Sequence, residues 1–417
     1  MDAVSSSAVS GGTRKINWKL NLFVIWFSQI LAHCAMSFAL PLIPIYMREH
    51  FGLIDENQRG FYVSLFQLAG MATFCFSNPI WGALADRYGR KIMLLRAYFL
   101  NGLTIPLMMI APSVWWLIAV RALVNLFSGT ISASQALVVT TTPEDKHGFA
   151  LGTLSTALWS GTVFGLLGGG VIAELLSYNA AFITCGVLLM VSGLITLLCA
   201  KENFVPPQRI REHAVKKTSG SVREVFTPTV CALMILICLL AMARQMDTPY
   251  LPMLVEKING LENVKLYTGY ISALAAAGGI LSGLFFGALS DKLPPWKLAV
   301  PALAFAGASM LLQSQSRSLW ILALCRFLCF FAAGGIEPVV LSRLSKITAP
   351  EHRGVVLGWN GSIRVFGNLL GSGMSASIFI AFRLGTRAVF TTAGIVMLLL
   401  IPATLAVFDP RKNGKQV

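Results

Sequence analysis

The chain has 417 residues, of which 55% are hydrophobic and only 12% are charged. A typical soluble domain carries about 25% charged residues, and a soluble chain of this length still needs a polar surface. The composition therefore excludes an ordinary soluble enzyme and predicts that lipid surrounds most of the chain. A β-barrel is disfavoured, because the apolar runs are longer than about 20 residues and do not alternate with polar positions.

The net charge of +15 would suit a nucleic-acid-binding protein. However, most of the 33 Lys and Arg residues fall in one set of loops between apolar runs. This asymmetry is the positive-inside pattern of membrane proteins and not a basic face that follows phosphates, so we expect no nucleic-acid partner. The eight cysteines all lie in apolar runs without the spacing of zinc ligands, so no metal site is predicted.

Twelve apolar runs predict an all-α membrane protein with twelve transmembrane helices. The predicted spans are 20–47, 60–83, 91–111, 114–139, 149–173, 179–200, 229–255, 266–289, 296–314, 319–342, 355–382 and 387–408. The predicted domains are a tail (1–19), a six-helix half (20–200), a basic linker (201–228), a second six-helix half (229–408) and a second tail (409–417). Both termini then share one side, which the basic loops predict to be cytoplasmic.

The two halves repeat each other, with offsets between 205 and 208 residues. The matching pairs are 41–44 with 249–252, 82–87 with 287–292, Arg121 with Arg326, and 143–144 with 350–351. Two parallel repeats related by an axis along the membrane normal are the plan of a rocking secondary transporter.

The loop between the second and third spans carries a motif in which every defining position is present. Its residues are Gly82, Asp86, Arg87, Gly89, Arg90 and Lys91, and Asp291 stands at the second-half equivalent of Asp86. This motif resembles the loop motif of the major facilitator superfamily. The resemblance implies that fold, and a gating role in which Asp86 binds the other half in one access state and releases it in the other.

The fifth span carries four glycines with regular spacing: Gly161, Gly165, Gly169 and Gly170. They resemble the antiporter motif of the drug/proton exchangers of that superfamily, although Leu166 stands where proline is usual. Glycines spaced by four also allow helices to approach closely, so both interpretations stay open. Arg121 resembles a residue tied to proton coupling in the same exchangers, although Val124-Asn125 replaces the usual Gln-Gly.

Longer stretches resemble the bacterial multidrug-resistance proteins of the exchanger branch. These stretches are 16–19, 84–96, 150–156, 326–328 and 387–390. The resemblance extends over nearly the whole chain and implies export of drugs. Its specific residues lie on loops, span ends and packing faces, so it indicates the transport class and not the substrate.

Ionisable residues inside predicted spans are functional candidates by default. The proton-coupling candidates are His33, Arg121, Asp247 and Glu337. Asp247 could pair with Arg244 one turn away, and Glu337 with Arg364 at a matching depth. Such pairs either neutralise charge only, or include a carboxyl group that takes up a proton because desolvation favours its neutral form. His33 is a second candidate carrier, because imidazole changes charge near neutral pH, and the alternative is a histidine that is simply hydrogen-bonded on its helix face.

No phosphate-binding loop of the Gly-x-x-x-x-Gly-Lys-Ser/Thr kind occurs, so we expect no ATP or other cofactor and a proton gradient as the driving force. No nucleophile, base and acid arrangement indicates an enzyme. Arginines outnumber acids within the spans, which favours an anionic or amphipathic small-molecule substrate. The substrate-cavity candidates are Gln29, Phe38, Arg121, Trp159, Arg326, Asn360 and Arg364.

The sequence therefore predicts a multi-pass transporter of the bacterial inner membrane that works by alternating access. The favoured activity is proton-coupled export of drugs or amphipathic small molecules. The alternative is a dedicated carrier of an anionic metabolite such as a siderophore.

Overall fold

The computed structural model describes residues 17–202, 227–290, 293–348 and 353–408. Within these ranges the chain is helical and contains no strand. Eleven of the described helical segments are long and apolar enough to cross a membrane. Large apolar side chains such as Leu198 and Trp320 are 75% and 86% exposed, as expected for a surface that faces lipid and not water. The predicted all-α membrane fold is confirmed.

The first half begins with α1 (Trp18–Phe38), α2 (Ile43–Phe51), α3 (Glu56–Tyr88) and α4 (Arg90–Thr104), and continues with α5 (Val114–Leu126), α6 (Thr130–Thr141), α7 (His147–Leu175) and α8 (Tyr178–Cys199). The second half begins with α9 (Pro228–Asp247), α10 (Leu251–Asn259), α11 (Val264–Ser290) and α12 (Pro295–Gln315), and continues with α13 (Leu319–Gly334), α14 (Ile336–Ile347), α15 (Arg353–Ile380) and α16 (Gly385–Phe408).

Four of the predicted spans are each built from two consecutive helices: α1 with α2, α5 with α6, α9 with α10, and α13 with α14. Prolines at the starts of the short helices α2 and α10 explain two of these breaks, because proline lacks the N–H that a continuous helix needs. Gly129, with a φ of +127°, explains the break between α5 and α6. The breaks occur at equivalent places in the two halves, as the internal repeat predicts.

The third predicted span is the one without a counterpart among the eleven described membrane-length segments. Its α-helix, α4, has 15 residues and passes into a 3₁₀ turn at Ile105–Met108. Pro106 lies in that turn and removes a backbone donor. The span is therefore present as a helix followed by a turn.

Helix packing repeats between the halves. The pairs α1–α7, α3–α5, α4–α8 and α1–α8 correspond to α9–α15, α11–α13, α12–α16 and α9–α16. The halves meet where α3 packs on α15 and where α7 packs on α11. This arrangement agrees with the sequence repeat. The limits of the tails and linker fall largely outside the described residues and stay a prediction.

Contacts at the helix ends show that α1 begins and α16 finishes at the same end of the molecule. Asn21, at the start of α1, donates to Thr141 and to the carbonyl of Lys201, at the ends of α6 and α8. Glu56, at the start of α3, accepts from the backbone of Thr386, at the start of α16. We call the end with Asn21 the terminal end, and the end with Glu56 the distal end.

Candidate functional site: the cavity between the two halves

A cavity of about 570 Å³ lies at mid-depth between the halves. Its first-half wall includes His33, Asn125 and Trp159, and its second-half wall includes Arg244 and Arg364. Methionine, phenylalanine and aliphatic side chains supply much of the remaining lining, together with serine, threonine and amide groups, and methionine adapts to ligands of different shapes. Among the lining residues that the structure describes, none is a carboxylate. The wall therefore combines an adaptable apolar surface with positive charge.

Two of the breaks inside spans point helix N-termini at this cavity. The start of α6, at Thr130–Ser132, and the start of α14, at Ile336, line the wall. Neither N-terminus has a side-chain cap: glycine, at Gly129 and Gly335, occupies both N-cap positions. Free N–H groups and the helix dipole make such an end favourable for negative charge.

Beside the cavity, Asp247 forms a buried ion pair with Arg326. Their side chains are 1% and 2% exposed. Arg326 also donates to the side-chain oxygen of Gln313 at 3.3 Å, and its guanidinium lies 4.8 Å from the ring centre of Phe330. The spacing along α9 had suggested Arg244 as a partner for Asp247, whereas the structure brings in Arg326 from α13. Gln313, on α12, was missed because no local pattern marks it.

The equivalent arginine of the first half meets no carboxylate among the described residues. Arg121 is 9% exposed, donates to the side-chain oxygen of Gln67 at 3.3 Å, and lies 5.1 Å from the ring centre of Phe66. Its Nε and Nη1 atoms make no hydrogen bond with the described part of the chain. Arg121 does not line the cavity itself, but Asn125, one turn later, does.

The glycines of α7 bring helices into direct backbone contact. A Cβ atom added at Gly161, Gly165 or Gly169 would overlap backbone oxygens of α1. Gly170 instead faces α11, where an added Cβ would lie 2.8 Å from the carbonyl oxygen of Lys265. The stripe therefore packs α7 against α1 and against the other half, and a coupling role for it stays a prediction.

An equivalent stripe in α15 was not singled out from the sequence. Gly367 and Gly371 press against the backbone of α9 in the same way. Ser375 takes the third place and donates to the carbonyl of Met246 at 3.1 Å. Spacing of four residues, the same signal used for α7, would have revealed it.

The other cavity candidates fall into two groups: some line the cavity and others lie away from its wall. Trp159 and Arg364 line the cavity. Gln29 is fully buried and donates to the hydroxyl of Tyr98 at 2.9 Å and to the carbonyl of Thr130 at 3.2 Å, so it supports the wall from behind. Phe38 packs on the α7 stripe, and the side-chain oxygen of Asn360 has no hydrogen-bond partner within the described residues.

Of the proton-coupling candidates, His33 lines the cavity. Its Nε2 atom is buried without a hydrogen-bond partner among the described residues. Glu337 belongs to α14, but its side chain lies outside the part of the structure that is described.

The loop motif joins α4 to the end of α8. Gly89 has a φ of +99°, which favours glycine. The backbone N–H groups of Arg90 and Lys91 donate to the two carboxylate oxygens of Glu202, at 2.8 Å each. Lys91 also donates to the carbonyls of Leu197 and Ala200.

Two further motif residues, Arg87 and Gly82, lie within the described part of the chain. Arg87 is exposed, and an added Cβ at Gly82 would meet no atom within 4 Å. The side chain of Asp86, and all of Asp291, lie outside the described residues. Glu202 was missed from sequence, although an acid directly after a span and near a basic loop is a usable signal.

Two six-helix repeats around a central, partly charged cavity define a membrane transporter of the alternating-access class. The family model of the Major Facilitator Superfamily matches residues 25–316 and 298–417. The chain therefore belongs to that superfamily, is a multi-pass membrane protein, and is a transporter and not an enzyme. The family predicted from the loop motif is confirmed.

The chain is similar to curated bacterial relatives over nearly its full length. It is 33% identical to the multidrug resistance protein MdtG of Escherichia fergusonii over 390 residues, which cover 93% of this chain and 94% of the relative. It is 32% identical to MdtG of Klebsiella pneumoniae over 418 residues, or 98% of each chain. The multidrug-resistance branch suggested by the longer stretches is thus confirmed.

Solved structures share the fold. The nucleoside transporter NupG superposes with a TM-score of 0.79 at 14% identity, over 94% of this chain and 100% of that chain. A bacterial homologue of the human lysosomal transporter Spinster superposes with a TM-score of 0.75 at 16% identity, over 93% and 96%. At these identities the likeness concerns architecture alone.

Proposed function

We propose that this protein exports amphipathic small molecules, including drugs, across the bacterial inner membrane in exchange for protons. The observation that carries the proposal is the cavity of about 570 Å³ between the halves, whose lining combines apolar side chains, among them methionine and aromatic residues, with a few polar and charged groups. Apolar walls with a few polar groups suit small amphipathic ligands. The curated relatives that are named multidrug resistance proteins support the same activity.

In this proposal the terminal end faces the cytoplasm, as the basic loops predict. The hydrogen bonds and ion pairs between described residues of the two halves cluster at the distal end. The structure then corresponds to the inward-facing state, which takes up substrate from the cytoplasm.

Asp247 is the proton carrier that the geometry favours. A proton on its carboxyl group removes the charge that holds Arg326, so protonation and rearrangement of α9 against α13 become linked. The proton gradient supplies the energy: one elementary charge moving through 100 mV is worth about 2.3 kcal/mol. Glu337, His33 and Arg121 remain the other candidates, and the Asp86 latch remains part of the proposed gating.

A dedicated carrier of an anionic metabolite is the second candidate function. Arg244 and Arg364 lie on the cavity wall, and the uncapped N-termini of α6 and α14 also face it. Half-helix N-termini at a midplane site bind anionic substrate groups in other transporter folds. The two candidates share the cavity and differ in the breadth and charge of the substrate.

The test is transport by the purified protein in liposomes that contain a pH-sensitive dye. We expect proton movement when several unrelated amphipathic compounds are added, and its loss in Asp247→Asn. Glu262→Gln, which changes an exposed carboxylate of the distal end, is the matched control. Glu337→Gln and His33→Asn test the other carriers.

The outcomes separate the candidates. Proton movement with one anionic class alone, lost in Arg244→Gln and Arg364→Gln, would select the dedicated carrier. Substrate uptake at a full rate without proton movement would contradict proton coupling under either function.

A further inference from the structure

The distal end holds two short helices that face each other across the axis relating the halves. α2 and α10 follow the proline motifs at 41–44 and 249–252, and they are in contact with each other. With the 208-residue offset of those motifs, Arg48 is equivalent to Glu256 and Glu49 is equivalent to Lys257. The equivalent dipeptides therefore carry charges of opposite order, Arg-Glu in the first half and Glu-Lys in the second.

Glu256 is the centre of the contacts. Its carboxylate pairs with Arg48, the residue equivalent to it. It is also paired with Arg59 of α3, with the Nη1 atom at 2.9 Å from one oxygen and the Nη2 atom donating to the other at 3.1 Å. The side chains of Arg59 and Glu256 are only 3% and 11% exposed. Two first-half arginines thus converge on one second-half carboxylate.

Two further ion pairs join the halves around this centre. Lys257 donates to Glu56 at 2.9 Å, and Lys265 pairs with Glu49 at 3.3 Å. Glu56 also accepts from the backbone N–H of Thr386 at 2.6 Å. The seven charged residues named here, Arg48, Glu49, Glu56, Arg59, Glu256, Lys257 and Lys265, form what we call the distal clamp.

We infer that the distal clamp is the gate whose ion pairs hold the distal side shut, and that its strength sets the balance between the two access states. In an exact repeat, equivalent residues meet at the axis, and like charges would repel each other there. Inverted charges turn the same contact into an attraction. The transporter must break these pairs to open distally, and separating buried charges is costly unless water replaces the partner. The inference requires alternating access and no particular substrate.

The contributions within the clamp are unequal. Arg59 is buried and Glu256 is largely buried, so removing the Glu256 charge leaves Arg59 without a carboxylate partner among the described residues. Lys257 and Glu56 are 41% and 30% exposed, and exposed pairs contribute little. The clamp therefore depends mainly on Glu256 and its two arginines.

The test measures the distance between spin labels on Ile54→Cys and Leu261→Cys, after replacement of the native cysteines. Ile54 and Leu261 are 72% and 46% exposed, at the distal ends of opposite halves. We expect Glu256→Gln to raise the ratio of distally open to closed protein at least about tenfold. Lys257→Gln should raise it less than about fivefold. Glu262→Gln, a neutralised carboxylate outside the clamp, should leave the distance distribution unchanged.

The double variant Arg59→Gln, Glu256→Gln distinguishes the loss of a specific ion pair from a general destabilisation of the distal end. It removes both buried charges, so its shift should be smaller than the two single shifts combined. Equal distance distributions for Glu256→Gln and the parent would overturn the inference, as would fully additive shifts in the double variant. If Glu256→Gln does not fold, Arg59→Gln and Arg48→Gln are compared with the parent instead, and distance distributions equal to that of the parent for both variants would overturn the inference.

Discussion

Arg121 and Arg326 are each the eighth residue of an equivalent helix, α5 and α13. In the second half, Asp247 and Gln313 surround the guanidinium of Arg326. In the first half, Arg121 has Gln67 as its hydrogen-bond partner and meets no carboxylate among the described residues. The repeat thus preserves the position of the charge and changes its compensation. The charge of Arg326 is neutralised by a carboxylate in this state, whereas Arg121, which meets no carboxylate among the described residues, can respond to a mobile anion.

The largest expected loss of stability follows substitution of Arg326, the arginine that is paired with a carboxylate. Arg326→Met leaves Asp247 buried without a partner and should lower the free energy of unfolding by about 3–5 kcal/mol. Denaturant titration of the detergent-solubilised protein measures the loss. The double variant Arg326→Met, Asp247→Leu should recover most of it, because no unpaired charge remains. A double variant as unstable as the single one would contradict the ion-pair explanation.

The glycine stripes of α7 and α15 should respond alike to an added methyl group, because each packs directly against the backbone of a neighbouring helix. Gly165→Ala and Gly371→Ala should each destabilise their half by about 1–3 kcal/mol through overpacking. Gly82→Ala is the matched control, since an added Cβ there meets open space. The same denaturant titration applies, and a loss in one half alone would show that the stripes are not equivalent.

A smaller loss of stability is expected from substitution of Glu202, whose carboxylate contacts the start of α4 in the first half. Its carboxylate caps two N–H groups at the start of α4, and losing a cap costs about 1 kcal/mol. Glu202→Gln should therefore lower stability slightly and speed hydrogen exchange at Arg90 and Lys91. Exchange rates equal to those of the parent protein would argue against the cap.

The smallest effect on stability is expected at the uncompensated arginine, where function should suffer instead. Arg121→Met removes a buried charge that meets no carboxylate in the described part of the chain, so the free energy of unfolding should fall by less than about 1 kcal/mol, or rise. Transport in liposomes should fall strongly if a mobile anion uses this charge. Normal transport by a stable Arg121→Met protein would reduce Arg121 to a structural residue.

Much of the fold was accessible from the sequence, because burial in lipid demands long apolar helices and leaves the repeat visible. The site was less accessible. Arg364 and Trp159 were correctly placed on a cavity wall, but Gln29 looked equivalent to them and turned out to lie behind it. A helix pattern gives the spacing of residues along one helix and leaves the rotation of that helix against its neighbours open.

The sequence by itself determined the membrane environment, the two halves, the family and the positions of the ionisable residues, because hydropathy, charge asymmetry and motifs are local properties of the chain. Only the tertiary structure decided which charges meet. Asp247 could have paired with Arg244 in its own helix and pairs instead with Arg326, and Arg48 meets its own equivalent, Glu256. Those choices depend on how separate helices approach in space, which the order of residues along one helix does not specify.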